Sequence, residues 1–382
     1  MGLFIDLTKA FDTCDINILL KKLDHYGFRG TSNSWFENYL KGRKQFTSIR
    51  SINSSLEEIS CGVPQGSILG PILFILLIND LPNASKFFTI LFADDTTLQF
   101  SSINLQHLYS LANVELAKIA EWFKANKLTL NASKTKYILF RKKKQSVNFE
   151  SLKLFIDDKE IDRIGTGCKN ESFKFVGINL DEYLTWSYHI KAIKNKTSTA
   201  VYALAKVRNL LPSNIKLTIY NSLFRSYVEY GISCWGKIAC PDMKKICTLQ
   251  KRAVRLIDNS KSMSHSDPIF LKYNILKIND MVDFNQAMFM FKYTNGLLPD
   301  SFENMFNKLG NFDRSLSYQV DLLNFSSLQT FPSYTLLKIW NNLPLELKRS
   351  TSINLFKNKI KKALFEKYLL KCNRPNCFSC KQ

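Results

Sequence analysis

Three aspartates stand where carboxylates can do more than solvate a surface. Asp6 closes the apolar run Leu3-Phe4-Ile5, and the adjacent pair Asp94-Asp95 follows Ile90-Leu91-Phe92 across a single alanine. Acids held at the ends of apolar strands repel one another and resist ionisation unless a cation neutralises them. Hard oxygen donors without nitrogen or sulfur suit Mg²⁺, which keeps several waters and bridges carboxylates to substrate phosphates. Two such ions would clamp the attacking and leaving oxygens of an in-line phosphoryl displacement. Taken alone, Asp94-Asp95 reads more simply as a polar turn, where Asp is common. The surrounding residues decide between the two readings.

The elements that must hold these acids can be read from periodicity. Residues 2–7 form a short buried strand ending at a turn that carries Lys9 to Asp12, a pair placed to cap the next helix. That helix shows Ile16, Leu19, Leu20 and Leu23 on one face and is closed by Gly27 and Gly30. Residues 46–60 alternate as a hairpin. Cys61-Gly-Val-Pro-Gln-Gly66 is a loop, and residues 67–79 are a buried helix. Residues 88–92 and 96–100 form two strands joined tightly through Ala93-Asp94-Asp95, and 105–125 is an amphipathic helix. Residues 137–140 and 173–178 are further strands. From Thr185 onward the pattern is helical, interrupted at Pro212, Pro241, Pro268, Pro299 and Pro344. The chain is therefore of the α+β class to about residue 180 and helical beyond it.

Several segments together resemble the reverse transcriptases of non-LTR, LINE-type retrotransposons, in wording nearest to the jockey-like group. Phe4-Ile-Asp-Leu-Thr-Lys-Ala-Phe-Asp12 looks like their first palm motif, Gly62-Val-Pro-Gln-Gly-Ser-Ile-Leu-Gly-Pro71 like the second and Phe92-Ala-Asp-Asp95 like the third. Leu130-Asn-Ala-Ser-Lys-Thr135, closing on Phe140, looks like the fourth. Phe175-Val-Gly-Ile178, with Leu184-Thr-Trp186 and His189-Ile190, resembles the segment leading to the thumb. The family's order is kept over residues 1–190.

The resemblance implies a right-hand polymerase palm, a ferredoxin-like antiparallel sheet with helices, over 1–180. It implies a helical thumb-like region over 181–290 and a C-terminal helical region over 291–382. Asp6 and Asp94 become the principal metal ligands, with Asp95 assisting, for two Mg²⁺ or Mn²⁺ ions. Phe11, five residues after Asp6, takes the position of a bulky side chain under the incoming sugar; an aromatic ring there clashes with a 2′-hydroxyl and favours deoxynucleotides. As a residue of an Ala-Phe pair it also reads as core. Gln65 and Gly66 lie in the loop that meets nucleotide or template. Lys134 is placed to protonate the leaving pyrophosphate, although a solvated lysine reads the same. Gly177 permits close approach of a strand to the primer, or marks a turn. The partners implied are an RNA template, a DNA primer or target and deoxynucleoside triphosphates, inside the cell, in the nucleus or a cytoplasmic ribonucleoprotein. The family's fingers and endonuclease precede its first motif; with no residues before Met1 to supply them, the expectation is an N-terminally truncated copy. That leaves two readings, a polymerase fragment and an inactive nucleic-acid-binding remnant; a palm-type nucleotidyl cyclase would explain the carboxylates but not the Pro-Gln-Gly loop or the thumb.

Composition agrees with a globular chain. Of 382 residues, 45% are hydrophobic and 22% charged, which argues against disorder as the main state. The net charge of +21 is uneven: residues 1–180 carry +5 and residues 181–382 carry +16. Chemistry in one half and a polyanion held by the other would give that split. Lys251, Arg252 and Arg255 share one face of a helix whose other side is Leu249, Ala253, Leu256 and Ile257, a form suited to tracking a phosphate backbone without reading bases. Arg141-Lys-Lys-Lys144, with Lys134 and Lys136, is the densest basic run and reads as a solvated loop or as a contact with nucleic-acid backbone. Tyr220, Phe224, Tyr227 and Tyr230 have core spacing. The apolar run 68–78 is too short to cross a bilayer. Nine cysteines form no regular framework, which fits reduced thiols; Cys372, Cys377 and Cys380 have zinc-like spacing without a fourth ligand.

Overall fold

The computed structural model describes residues 1–238, 240–307, 317–320 and 331–369. It divides into two compact units, Met1–Thr185 and Trp186–Gln382.

The first unit runs β1 (Gly2–Ile5), α1 (Ile16–His25), α2 (Thr31–Leu40), four short strands β2 (Lys44–Gln45), β3 (Ser48–Ile49), β4 (Ile52–Asn53) and β5 (Glu57–Glu58), then α3 (Leu69–Ile78). It continues with β6 (Phe88–Phe92), β7 (Asp95–Gln99), α4 (Leu105–Ala125), β8 (Lys136–Ile138), β9 (Phe155–Ile156), β10 (Lys159–Glu160), β11 (Asp162–Ile164), β12 (Ser172–Phe175) and β13 (Ile178–Asp181).

Five strands form one sheet in the order β11-β8-β1-β7-β6, so β1 lies at its centre. β1 pairs antiparallel with β7 and β8, and β6 with β7. The expectation of an antiparallel sheet fails at one edge, where β11 runs parallel to β8. The β9–β10 hairpin between them turns the chain round so that β11 can re-enter in the direction of β8.

Alternation along β1 sends its residues to two cores. Leu3 and Ile5 join Leu98 and residues of α1, α3 and α4 in the main core. Phe4 faces the other way and packs with Ile138, Ile164, Phe173 and Phe175. Helix α4 buries Leu108, Ala112, Leu116, Ile119 and Phe123 at helical spacing.

Helix α1 is capped by Asp15, whose side chain accepts from the Ile18 amide at 2.9 Å. The expected Lys9–Asp12 cap is thereby corrected; such a cap contributes about 1 kcal/mol. The buried helix expected over 67–79 is buried on one side only. Leu73, Phe74, Leu77 and Ile78 are inside, while Ile68, Ile72 and Ile75 are exposed. The single strand expected over 173–178 is a hairpin, because Val176 and Gly177 both take positive φ, 41° and 82°, and reverse the chain between β12 and β13.

The second unit is helical: α5 (Ser187–Lys206), α6 (Ser213–Tyr220), α7 (Ser226–Glu229), α8 (Ile232–Trp235), α9 (Pro241–Asp258), α10 (Asp267–Lys272), α11 (Ile278–Thr294), α12 (Pro332–Asn341), α13 (Leu345–Lys348) and α14 (Ile353–Glu366). A π-helical turn, Asn221–Arg225, joins α6 to α7. The division expected between residues 290 and 291 falls inside the continuous helix α11. Cys372, Cys377 and Cys380 lie outside the described residues. No described helix is long and apolar enough to cross a membrane.

Candidate active site

The β1–β7 register builds the site. Its last pair is Ile5↔Thr96, so Asp6 and Asp95 are the next residues on the two neighbouring strands, Asp6 on the face of Phe4 by alternation. Asp94 stands beside them in the two-residue turn between β6 and β7. Ala93 opens that turn at φ 52°, a conformation that costs a residue with a side chain roughly 1 kcal/mol or more and persists where its surroundings impose it.

The electrostatics are those of crowded acids. Burial, and then the charge of Asp94, hold the Asp6 carboxyl above its usual range, although the Lys134 ammonium pulls it down. Asp95 is raised by burial first, then by Asp94 and Asp6. Lys134 Nζ is 4.0 Å from Asp6 Oδ2. That oxygen is buried and has no hydrogen-bond partner. An all-oxygen donor set that resists ionisation, with one carboxylate oxygen left unsatisfied, fits a hard divalent cation. Among the described residues, however, no three His, Cys, Asp or Glu side chains converge on a common metal position. Asp6, Asp94 and Asp95 therefore do not form a closed cage; they fit Mg²⁺ bound by one or two carboxylates and completed by substrate oxygens.

The loop 61–66 is fastened to the turn after Asp6. The Gly62 amide donates to Cys14 O at 2.8 Å and the Val63 amide to Phe11 O at 2.9 Å. Gly62 has φ 84°, and a Cβ there would lie 2.7 Å from Asp12 O, so only glycine fits this approach. Arg43, which sequence reasoning passes over, supports the loop from outside, donating to Gly62 O at 2.5 Å and to Leu40 O at 2.8 Å. A lone arginine in an exposed stretch carries no signal of that role.

Gln65 is exposed, and its amide donates to Asp12 Oδ1 at 2.6 Å. Gly66 follows at φ 80° with open space beside it. Phe11 is half-buried, its ring 4.6 Å from that of Phe74, so it is partly a core residue. Gly177 forms the tip of the β12–β13 hairpin, whose Phe173 stacks on Phe4 at 4.3 Å. The hairpin thus packs on the sheet face that carries Asp6 and Asp95.

Two basic groups prove structural. Arg141 is held by Glu182 at 3.2 Å and by the Tyr183 hydroxyl at 2.9 Å, and Lys136 pairs with Asp162 at 2.5 Å. In the second unit, Lys251 and Arg252 are exposed on α9. Arg255 departs from that basic face: it is half-buried and its Nε donates to Ser264 O at 2.7 Å. Gln250 is buried at the centre of the unit, bonded to Tyr220, Leu276 and Ile278. Tyr220 and Phe224 are core residues, whereas Tyr227 and Tyr230 are exposed.

Residues 1–180 match the reverse transcriptase (RNA-dependent DNA polymerase) family. Within that family the similarity lies with non-LTR elements. The chain is 27% identical over 268 residues to the probable RNA-directed DNA polymerase from transposon X-element of Drosophila melanogaster, covering 67% of this chain and 28% of that protein. It is 26% identical over 292 residues to the RNA-directed DNA polymerase from mobile element jockey of the same species, covering 73% and 31%. The chain thus spans less than a third of the length of either relative. A telomerase structure from Candida albicans, with a fragment of telomeric RNA, matches at TM-score 0.34 and 13% identity over 71% of this chain and 47% of that one.

Proposed function

We propose that the chain is the polymerase segment of a LINE-type reverse transcriptase. It would add deoxynucleotides to a primer 3′-hydroxyl on an RNA template, in the nucleus or a cytoplasmic ribonucleoprotein. The observation that carries this reading is the gathering of Asp6, Asp94 and Asp95 at the ends of neighbouring strands, near enough for their charges to act on one another, with Lys134 4.0 Å from Asp6. In this reading the sheet unit is the palm, and the helices after residue 181 supply a thumb-like region and the C-terminal helices.

Asp6 and Asp94, assisted by Asp95, would hold Mg²⁺ or Mn²⁺, two ions by family analogy, which supply charge neutralisation for in-line phosphoryl transfer. The chain's own residues do the rest. The primer 3′-hydroxyl gives up its proton to solvent as its oxygen bonds to the α-phosphorus and the bond to the bridging oxygen breaks, and Lys134 gives the departing pyrophosphate a proton. Phe11, braced by Phe74, lies under the sugar and rejects a 2′-hydroxyl. The Gln65–Gly66 loop meets the base pair being formed, Gly177 brings the hairpin tip to the primer, and Lys251 and Arg252 contact backbone phosphates.

Primer extension on poly(rA)/oligo(dT) with Mg²⁺ tests the proposal. The chain is expected to incorporate dTMP, and the Asp94→Ala, Asp95→Ala double variant to lose about a thousandfold, corresponding to roughly 4 kcal/mol in the barrier. Absence of incorporation by the unaltered chain, with salt-sensitive nucleic-acid binding retained, overturns it in favour of a binding remnant.

A further inference from the structure

The segment 130–135 contributes more than Lys134. Leu130 forms a bridge with Leu7, the Thr8 amide donates to Thr129 O at 2.9 Å, and the chain then winds round Asn131. The Lys134 and Thr135 amides both donate to Asn131 O, at 3.1 and 2.9 Å, and the Ser133 hydroxyl to Asn131 Oδ1 at 2.7 Å. This turn grips both backbone groups of Asp6. The Asn131 amide donates to Asp6 O at 2.9 Å, and the Asp6 amide donates to Thr135 Oγ1 at 3.2 Å. Thr135 is fully buried. Lys134 lies between the two gripping residues, its ammonium on the unsatisfied Oδ2 of the same aspartate.

We propose that Thr135, with Asn131, is a positioning residue that couples Lys134 to Asp6, so that the proton donor and the metal-holding carboxylate move as one body. The inference rests on the polymerase reading for its catalytic consequence, but the grip itself does not depend on it. A proton donor works only within hydrogen-bond reach of its acceptor, and a displacement of about 1 Å at a reacting centre can cost about a hundredfold in rate. A loop free to swing would not hold a flexible lysine to that tolerance. Fastening the loop to the backbone of Asp6 removes the freedom.

Thr135→Val keeps the shape of the side chain and deletes the acceptor, whereas Thr135→Ser retains it. In the full chain, Thr135→Val is expected to speed hydrogen exchange of the Asp6 amide about tenfold and to erase the Lys134–Asp6 side-chain Overhauser contact; Thr135→Ser should do neither. In single-nucleotide incorporation the same change should lower kcat about tenfold with KM for the nucleotide nearly unchanged, and Thr135→Ser should restore it. In a Lys134→Met background, Thr135→Val should cost nothing more. Unchanged exchange and Overhauser contact in Thr135→Val overturn the grip. Losses that multiply in the Thr135→Val, Lys134→Met variant overturn the coupling. An unaltered chain that incorporates nothing refutes the polymerase reading instead, and exchange and Overhauser contact then decide the positioning by themselves.

Discussion

Asp6 and Asp95 are reluctant anions, and this has a consequence for stability that can be given a sign. Their folded pKa values lie above the ordinary carboxylate value of 3.8. Folding therefore favours the protonated form. The stability they contribute is complete below the unfolded pKa and is lost as pH rises through the folded one. Asp95→Asn should consequently melt at a higher temperature than the unaltered chain at neutral pH, with the difference vanishing near pH 3, in thermal melts without divalent ions. Mg²⁺ should then raise the melting temperature of the unaltered chain more than that of the variant, by linkage to the folded state. A lower melting temperature for Asp95→Asn at neutral pH would count against the assigned crowding. Phe11 packs on Phe74 and has a proposed second role under the sugar, and one substitution separates the two. Phe11→Val should weaken discrimination against ribonucleotides by about 10–100-fold, read as the ratio of kcat/KM values. It should also cost about 1–3 kcal/mol in urea unfolding, because the ring packs on Phe74. A stability loss without any change in sugar discrimination would make Phe11 a core residue only.

At the level of elements, the loop 61–66 stands or falls with Gly62. Gly62→Ala should lower stability by about 1–3 kcal/mol and loosen the loop, because the new methyl meets Asp12 O and the backbone needs positive φ; denaturant unfolding and exchange of the Val63 amide are the measurements. How much of the architecture the sequence discloses also depends on the element. Helix α4 is legible to its ends, since 21 residues of helical spacing begin at an Asn cap and end at Ala125. The β6–β7 hairpin is legible because two apolar runs meet at a short polar turn. The β12–β13 turn is only half visible, since Gly177 admits a turn while the apolar run around Val176-Gly177, with no turn-forming polar residue, reads as one strand. Strands β9, β10 and β11 have only two or three residues each, and β11 exists because β8 is there to pair with it; local pattern carries none of that. Helix α3 misleads in the opposite sense. A segment apolar on all sides reads as buried, yet its Ile72 and Ile75, and Ile68 just before it, are exposed. At the site, the acids are evident from type and neighbourhood. The Gln65–Asp12 bond and the Arg43 support are not, because each is a single side-chain contact between distant residues.

Across the whole molecule, positive charge is unevenly divided along the chain. The excess of +16 over residues 181–382 predicts binding whose affinity falls steeply with salt. Lys251→Ala and Arg252→Ala should each reduce the slope of log K against log salt by about 1 for a primer–template duplex, uniformly across sequences. Arg255→Ala should leave that slope nearly unchanged and instead lower thermal stability, because its Nε holds Ser264 O; fluorescence anisotropy at several salt concentrations would separate the three. The central place of β1 also bears on how the protein is made. Its partners are residues 96–99 and 136–138, and β11 at 162–164 completes the edge beyond β8. During synthesis β1, which leads into Asp6, therefore leaves the ribosome long before β7 and β8 exist to pair with it. At cellular elongation speeds that wait is on the order of ten seconds. Throughout it Leu3-Phe4-Ile5 is an unprotected apolar tripeptide, and a natural early client for chaperones that bind nascent chains.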